Sequence, residues 1–328
     1  MVGKVSLLTP CYNGVKYEQL YIDNIKRQDY PSVEVIFIND GSTDNVESMV
    51  ERIEKVVKDK GYEFVYLSKE NGGAASAINL GLQHVTGDYL MLLDMDDELF
   101  EKAISAKAEY LNMHVEQDAV ISNGYYVFED KRRKTCPFIK GNKVDKDTIF
   151  ERLLVIDFYN WPGSYMVRCD CLFELNGGRE IFQSPYGQNL QILLPATYRK
   201  RVGFLDQHLM NYHVRKHSVS HTDDKSRMLQ LVNGYETIRS TVVKKICKEE
   251  EMSYYLRLIN VACIKQKLKY ACRVMDKEEL GRQYKKLQEL DASNFFDTVI
   301  YFCGKNVLLS FLYKIVIYIA ERVTNKVI

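Results

Sequence analysis

The sequence predicts an α/β fold: a mostly parallel sheet with helices on both faces, followed by a helical C-terminal appendage. Three observations carry that prediction. The segments VSLLTP, VEVIFIND and YLMLL are nearly continuous apolar runs, as strands buried on both faces are. Stretches with apolar residues three and four apart separate them, and such strand–helix alternation makes a parallel sheet. Beyond about residue 223 the strand signals stop, lysines and tyrosines become frequent and no proline occurs, which reads as helix throughout.

In chain order, KVSLLTP is the first strand, the segment around Glu18 to Gln28 a helix, and VEVIFIND the second strand. Val46, Met49, Val50, Ile53, Val56 and Val57 then form one apolar stripe, a helix for which Asp44 and Glu47 are a start signal. YEFVYL is the third strand, Ala74 to His84 a helix, and Tyr89 to Leu93 the fourth strand. The loops TPCYNG, NDGSTD, KENGGAAS and DMDDE follow these strands, and in parallel sheets ligands sit beyond the carboxyl ends. From Ser122 to His221 the elements shorten, punctuated by Gly163, Gly177, Gly178, Gly187, Pro162, Pro185 and Pro195, which suits a lid or second-substrate region.

Composition narrows the class. A chain of 328 residues with 46% hydrophobic residues buries a large core. Lys and Arg total 45 against 44 Asp and Glu, so the net charge points away from nucleic acid. The 8 cysteines are irregularly spaced with no paired CxxC, and MVGKVSLLTP does not read as a secretory leader, so a reducing, cytoplasmic setting is expected and zinc is not. Phe295 to Val323 is the most apolar stretch. Asp297, Lys305, Lys314 and Glu321 interrupt it short of the roughly 20 residues a membrane span needs. Its charges recur about every two helical turns, so it reads as an amphipathic helix for a membrane surface, for another subunit or for the protein's own catalytic domain.

The segment YLMLLDMDDELF poses the functional question. Asp94, Asp96 and Asp97 stand within four positions. Acids there cap a helix beginning near Glu98, or they hold a cation or a donor-rich ligand that offsets their repulsion.

TPCYNG, Gln28 with Tyr30, VEVIFINDGSTD, NGGAASAINLGL and GDYLMLLDMDD, in this order and at these intervals, resemble the GT-A fold of nucleotide-diphospho-sugar transferases, and within it glycosyltransferase family 2. The resemblance covers about a hundred residues, Thr9 to Asp97. It implies a catalytic domain over 1–222, with a nucleotide-sugar half at 1–121 and an acceptor half at 122–222, and a helical region over 223–328. It implies that Thr9, Pro10, Tyr12, Asn13 and Asp40 hold the nucleoside, with Gly72 and Asn79 near the donor. Asp94, Met95 and Asp96 would form the DxD, with Asp97 beside them, and oxygen-only ligands suit Mn²⁺ or Mg²⁺. His217 is the histidine best placed to assist the cation, with His221 next.

Departures from the family pattern set further expectations. Ala77-Ile78-Asn79 replaces the usual ARN, so the donor's diphosphate needs another positive charge, and Arg215 with Lys216 in YHVRKHSVSHT supplies it. Gln188-Asn189 stands where the family carries Glu-Asp, and amides orient a hydroxyl but do not accept its proton at neutral pH. Glu180 is the first replacement base and Asp157 the second, while Gln188, Asn189 and Trp161 face the acceptor. For Asp40, Tyr12, Trp161, Glu180 and Asp157 the plain alternatives are a turn, core filling or the ordinary surface.

The expected activity is inverting transfer from a nucleotide sugar, a UDP sugar first, to a hydroxyl of a glycan or lipid-linked acceptor in bacterial surface polysaccharide synthesis. The setting is cytoplasmic or the inner face of the membrane. A catalytically weak sugar-nucleotide-binding scaffold is the rival from another class. A nucleotidylyltransferase lacks its glycine-rich basic loop here, and a dehydrogenase lacks GxGxxG.

Overall fold

The computed structural model describes residues 2–129, 135–140, 144–215, 225–306, 308, 309 and 313. The first half alternates as expected: β1 (Val5–Cys11), α1 (Glu18–Arg27), β2 (Val33–Asp40), α2 (Val46–Asp59), β3 (Glu63–Lys69), α3 (Ala74–Gln83) and β4 (Tyr89–Leu92). There follow β5 (Glu98–Leu99), α4 (Ala103–Met113), β6 (Ala119–Phe128), β7 (Cys136–Pro137), α5 (Ile149–Leu154), β8 (Tyr165–Arg168), α6 (Cys169–Leu175), α7 (Gln188–Tyr198) and β9 (Val202–Val214). Helices α8 (Lys225–Ile246), α9 (Glu249–Val274), α10 (Lys277–Glu289) and α11 (Phe295–Lys305) complete the described chain.

One mixed sheet runs in the order β3-β2-β1-β4-β8-β6-β9-β5, with β7 paired to β6. Strands β3, β2, β1 and β4 are parallel, β8 is antiparallel to both β4 and β6, β9 is parallel to β6, and β5 antiparallel to β9. Every residue of β2 is buried, which explains its nearly continuous apolar character. Alternation along the strands splits the core into two layers. Leu8, Ile36 and Ile38 pack with residues of α3, α5, α7, α8 and α9 on one face, while Leu7, Val35 and Phe37 pack with α1, α2 and α4 on the other. A smaller core, with Ile264, Leu268, Leu280, Leu287 and Ile300, joins the end of α9 to α10 and α11.

Three sequence expectations change. No helix begins at Glu98: Glu98 and Leu99 pair with Asn211 and Met210 of β9, and the next helix starts at Ala103. The acids before it are therefore not its cap. Asp44 does not cap α2 either, because its Oδ2 accepts the Val15 N–H at 2.9 Å from the segment after β1. In α11, Asp297 points inward to Lys265 at 3.0 Å and closes a capping box with Asn294, leaving Phe295, Phe296, Val299 and Phe302 exposed. No helix among the described residues is long and apolar enough to cross a membrane. Residues 307, 310–312 and 314–323 of the expected helix lie outside the described residues.

Candidate active site

The polar loops after β1, β2 and β3 are laced to one another. Asn13 N–H donates to Ser42 Oγ at 3.0 Å and Asn13 Oδ1 accepts the Thr43 N–H at 2.8 Å, joining the first loop to the second. Asp40, expected at the nucleoside, is buried, and its carboxylate already receives Lys69 Nζ at 3.0 Å, Gly72 N–H at 3.0 Å and Gly73 N–H at 2.8 Å. It clasps the third loop to the second. The Gly72 N–H is spent on that clasp rather than offered to a ligand, and Gly41, at φ +67°, lets Asn71 approach so closely that a Cβ would lie 2.5 Å from its nitrogen. Thr9 is likewise withdrawn, fully buried with its hydroxyl accepting from Tyr21 at 3.0 Å.

Between the first and fourth loops lies a cleft of about 200 Å³ whose lining includes Pro10, Tyr12, Met95, Asp94 and Asp96 from the expected set, together with Cys11 and Tyr17. Tyr12 is 55% exposed and stands over it as a free aromatic face.

Asp94 and Asp96 line the cleft, and the turn that carries them and Asp97 is held by its neighbours. Leu93 N–H bonds Leu8 O at 3.1 Å and Asp97 N–H bonds Asp94 O at 3.3 Å, so the acids occupy one tight turn beyond β4. Asn24 of α1 donates to Asp97 O at 2.8 Å and accepts from Leu99 N–H at 2.8 Å, fixing the turn from below. Carboxylate oxygens of Asp94, Asp96 and Asp97 all lie within 4.8 Å of one another. Burial, then Asp96, pushes the Asp94 carboxyl up to about 7, and burial with both neighbours pushes Asp97 well above the usual range. Asp97 is 2% exposed; its Oδ1 accepts His213 N–H at 3.2 Å, while Oδ2 is buried with no partner among the described residues. An orphaned carboxylate oxygen in an all-oxygen cluster of mutually repelling acids fits a hard divalent cation. Asp96 itself is ion-paired to Arg215. His217 and His221 lie outside the described residues, as does Lys216.

The acceptor-side expectations divide. Asn189 opens α7 against β8, where its carbonyl accepts Tyr165 Oη at 3.2 Å, and Tyr165 feels the Asp94 charge. Gln188 donates to Ser184 O at 3.1 Å. Asp157 is drawn away, paired with Arg152 at 3.1 Å on the exposed turn after α5. Trp161 stacks on Tyr212 at 4.1 Å and donates to Tyr126 Oη at 3.2 Å, so one ring face is already covered. Asn79 straps Ile181 through both its amide atoms, at 2.8 and 2.9 Å, and so pins the segment before α7 to α3 rather than facing the cleft. Glu180 is exposed on that segment, and no described contact joins it to the aspartates.

Residues 6–172, just over half of the chain, match glycosyl transferase family 2. A glycosyltransferase of Rickettsia prowazekii (strain Madrid E) is 34% identical over 246 residues, covering 75% of this chain and 73% of its own length. The chain belongs to glycosyltransferase family 2. Other relatives, such as a glycosyltransferase of Rickettsia felis, are 35% identical over 140 residues, and those residues span only 22% of that protein's length. Among solved structures, S. aureus TarS in complex with UDP-GlcNAc superposes with a TM-score of 0.58 at 19% identity, covering 79% of this chain and 72% of that one. Mannosyltransferase PcManGT from Pyrobaculum calidifontis, solved with GDP-Man and Mn²⁺, gives 0.56 at 16% identity over 99% and 88% of the two chains. These likenesses show that the fold is GT-A.

Within this family 2 glycosyltransferase, several site neighbours carried no sequence signal. Glu129 reaches Arg215 only because Phe128 of β6 pairs with Val214 of β9. His213 comes to Asp97 by the same pairing, its Nε2 buried with no partner among the described residues and its pKa lowered by burial and by Arg215. Lys69 closes onto Asp40 from the neighbouring strand.

Proposed function

We propose that the chain transfers one sugar, with inversion, from a nucleotide diphosphate sugar to a hydroxyl of a glycan acceptor in bacterial surface polysaccharide synthesis, with a UDP sugar as the first donor to test. The observation that carries this reading is the cluster Asp94, Asp96 and Asp97 beside the cleft, with the orphaned Asp97 Oδ2. Family membership and the nucleotide-sugar complexes of the structural neighbours support it.

In this reading Tyr12 and Pro10 receive the nucleoside in the cleft, and Asp94, Asp96 and Asp97 hold Mn²⁺ or Mg²⁺. A bound divalent cation supplies positive charge to the departing diphosphate. Gln188 and Asn189, at the head of α7 near Asp94, orient the acceptor hydroxyl. The hydroxyl oxygen forms its bond to the anomeric carbon as the bond to the diphosphate breaks, and its proton goes to a carboxylate. With Asp157 held by Arg152, Glu180 is the carboxylate carried forward for that role.

Calorimetric titration with UDP, with and without Mn²⁺, tests the reading. Asp96→Ala is expected to abolish Mn²⁺-dependent binding and to lower sugar transfer by about 10²-fold or more. Undiminished transfer by this variant would remove the proposal. The second reading, a sugar-nucleotide-binding scaffold, is favoured by the amides at 188 and 189. It predicts Mn²⁺-dependent nucleotide binding with neither hydrolysis nor transfer of any donor sugar.

A further inference from the structure

Arg215 spends its guanidinium on the carboxylate that the cation requires. One terminal nitrogen pairs with Asp96 Oδ2, and the other donates to the Asp96 carbonyl at 3.0 Å. Its Nε lies 3.4 Å from Glu129, and it sits 4.5 Å from the centre of the Tyr17 ring. Resting on the reading of the aspartates as a cation site, we propose that Arg215 is an exchangeable counter-ion. It holds Asp96 in the free enzyme and passes to the donor's diphosphate when a divalent cation takes that carboxylate.

Charge accounting around the rim supports the exchange. Lys69 is committed to Asp40 at 3.0 Å, Arg27 to Glu98 at 2.8 Å and Arg52 to Glu18, while Lys16 lies 4.7 Å from the Tyr17 ring without a planar fork of donors. Ile78 occupies the position where the family resemblance would put an arginine. Arg215 borders the cleft through Tyr17 and Asp96, both of which line it.

A guanidinium stays protonated throughout the pH range of a folded protein, so Arg215 does not leave Asp96 by losing a proton. Only a competing cation, or an anion that binds it better, moves it. A divalent ion and a guanidinium repel each other if they share Asp96 Oδ2. A diphosphate, by contrast, presents paired oxygens that match the planar fork of donors. Entry of the cation therefore frees Arg215 for phosphate, and phosphate draws Arg215 off Asp96. Linkage makes the help mutual: each ligand tightens the other by the same factor. Arg215 then contacts the diphosphate directly, and its free-state pairing suppresses metal binding until a nucleotide is present.

Titration calorimetry of Mn²⁺ into the full chain, alone and at saturating UDP, measures that factor. Wild type is expected to bind Mn²⁺ about 5- to 150-fold more tightly with UDP than without. Arg215→Gln is expected to bind Mn²⁺ alone more tightly than wild type, with a coupling factor lower by about fivefold or more. Arg215→Lys keeps the charge without the fork and is expected to fall between the two, and it carries the same comparison should the Gln variant not fold. Mn²⁺ affinity without UDP that is unchanged or weaker in Arg215→Gln overturns the proposal, as does an unchanged coupling factor. A wild type whose UDP affinity ignores Mn²⁺ removes the cation reading, and this inference with it.

Discussion

At the scale of single residues, the acids of the turn after β4 and those elsewhere differ by what already occupies them. Asp40 already accepts from an ammonium and two backbone N–H groups, and Asp157 pairs with Arg152. Asp97 keeps a buried oxygen without a partner among the described residues, which costs free energy unless something binds there. The base belongs to this scale. Replacing Glu180 by Gln is expected to lower kcat by about 10²-fold or more with little change in KM for the donor, and to erase the acidic limb of the pH–rate profile. An unaltered profile in steady-state transfer assays would exclude Glu180. Legibility in the sequence followed the same line. Asp94, Met95 and Asp96 were readable because they share a contiguous turn, whereas Glu129 and His213 reach that turn through strand pairing that spans about 85 residues.

At the scale of elements, each functional loop is held by a neighbour. The loop after β1 is bonded to the loop after β2, the loop after β2 clasps the loop before α3, and α1 fixes the acidic turn through Asn24. Helix α11 is set the other way round from an ordinary surface helix. Its buried stripe is Asp297, Ile300 and Gly304, with Gly304 against Leu280 where a Cβ would meet a side-chain carbon at 2.6 Å. Its outer stripe is aromatic, with Phe295 76%, Phe296 73% and Phe302 59% exposed. We read that stripe as the contact with a membrane surface proposed from the amphipathic pattern. Cosedimentation with phospholipid vesicles is expected for the full chain and is expected to be lost on changing Phe295, Phe296 and Phe302 together to Ser. Equal sedimentation of both proteins would exclude α11 as the contact.

At the scale of the whole molecule, the acidic turn links stability to pH and to metal. In the folded chain Asp94 holds its proton up to about 7, against about 3.9 for an unperturbed aspartate, and Asp97 is shifted the same way. Raised folded values mean that protons favour the folded state. This contribution is complete below the unfolded value and is lost as pH rises through the folded one. Without metal, the melting temperature is therefore expected to fall between about pH 5 and about pH 8. Mn²⁺ competes with those same protons, so the rise it produces is expected to be larger at about pH 8 than at about pH 5. Differential scanning fluorimetry at both values checks both signs, and a Mn²⁺ effect that shrinks with pH would contradict the assignment of the aspartates.

The sequence by itself determined the alternating α/β pattern, the rim on which the loops gather and the acidic turn at its centre. Each of these is local: buried parallel strands need continuous apolar runs, and three carboxylates gathered in one turn stand within four positions of the chain. Only the tertiary structure decided which polar groups are free to act. Whether Asp40 faces a nucleoside or a glycine turn, whether Asn79 faces a donor or Ile181, and what neutralises Asp96 depend on which donors from distant elements reach each buried group. A buried carboxylate or amide takes the partners that packing brings to it, and packing is a property of the assembled sheet rather than of any one segment.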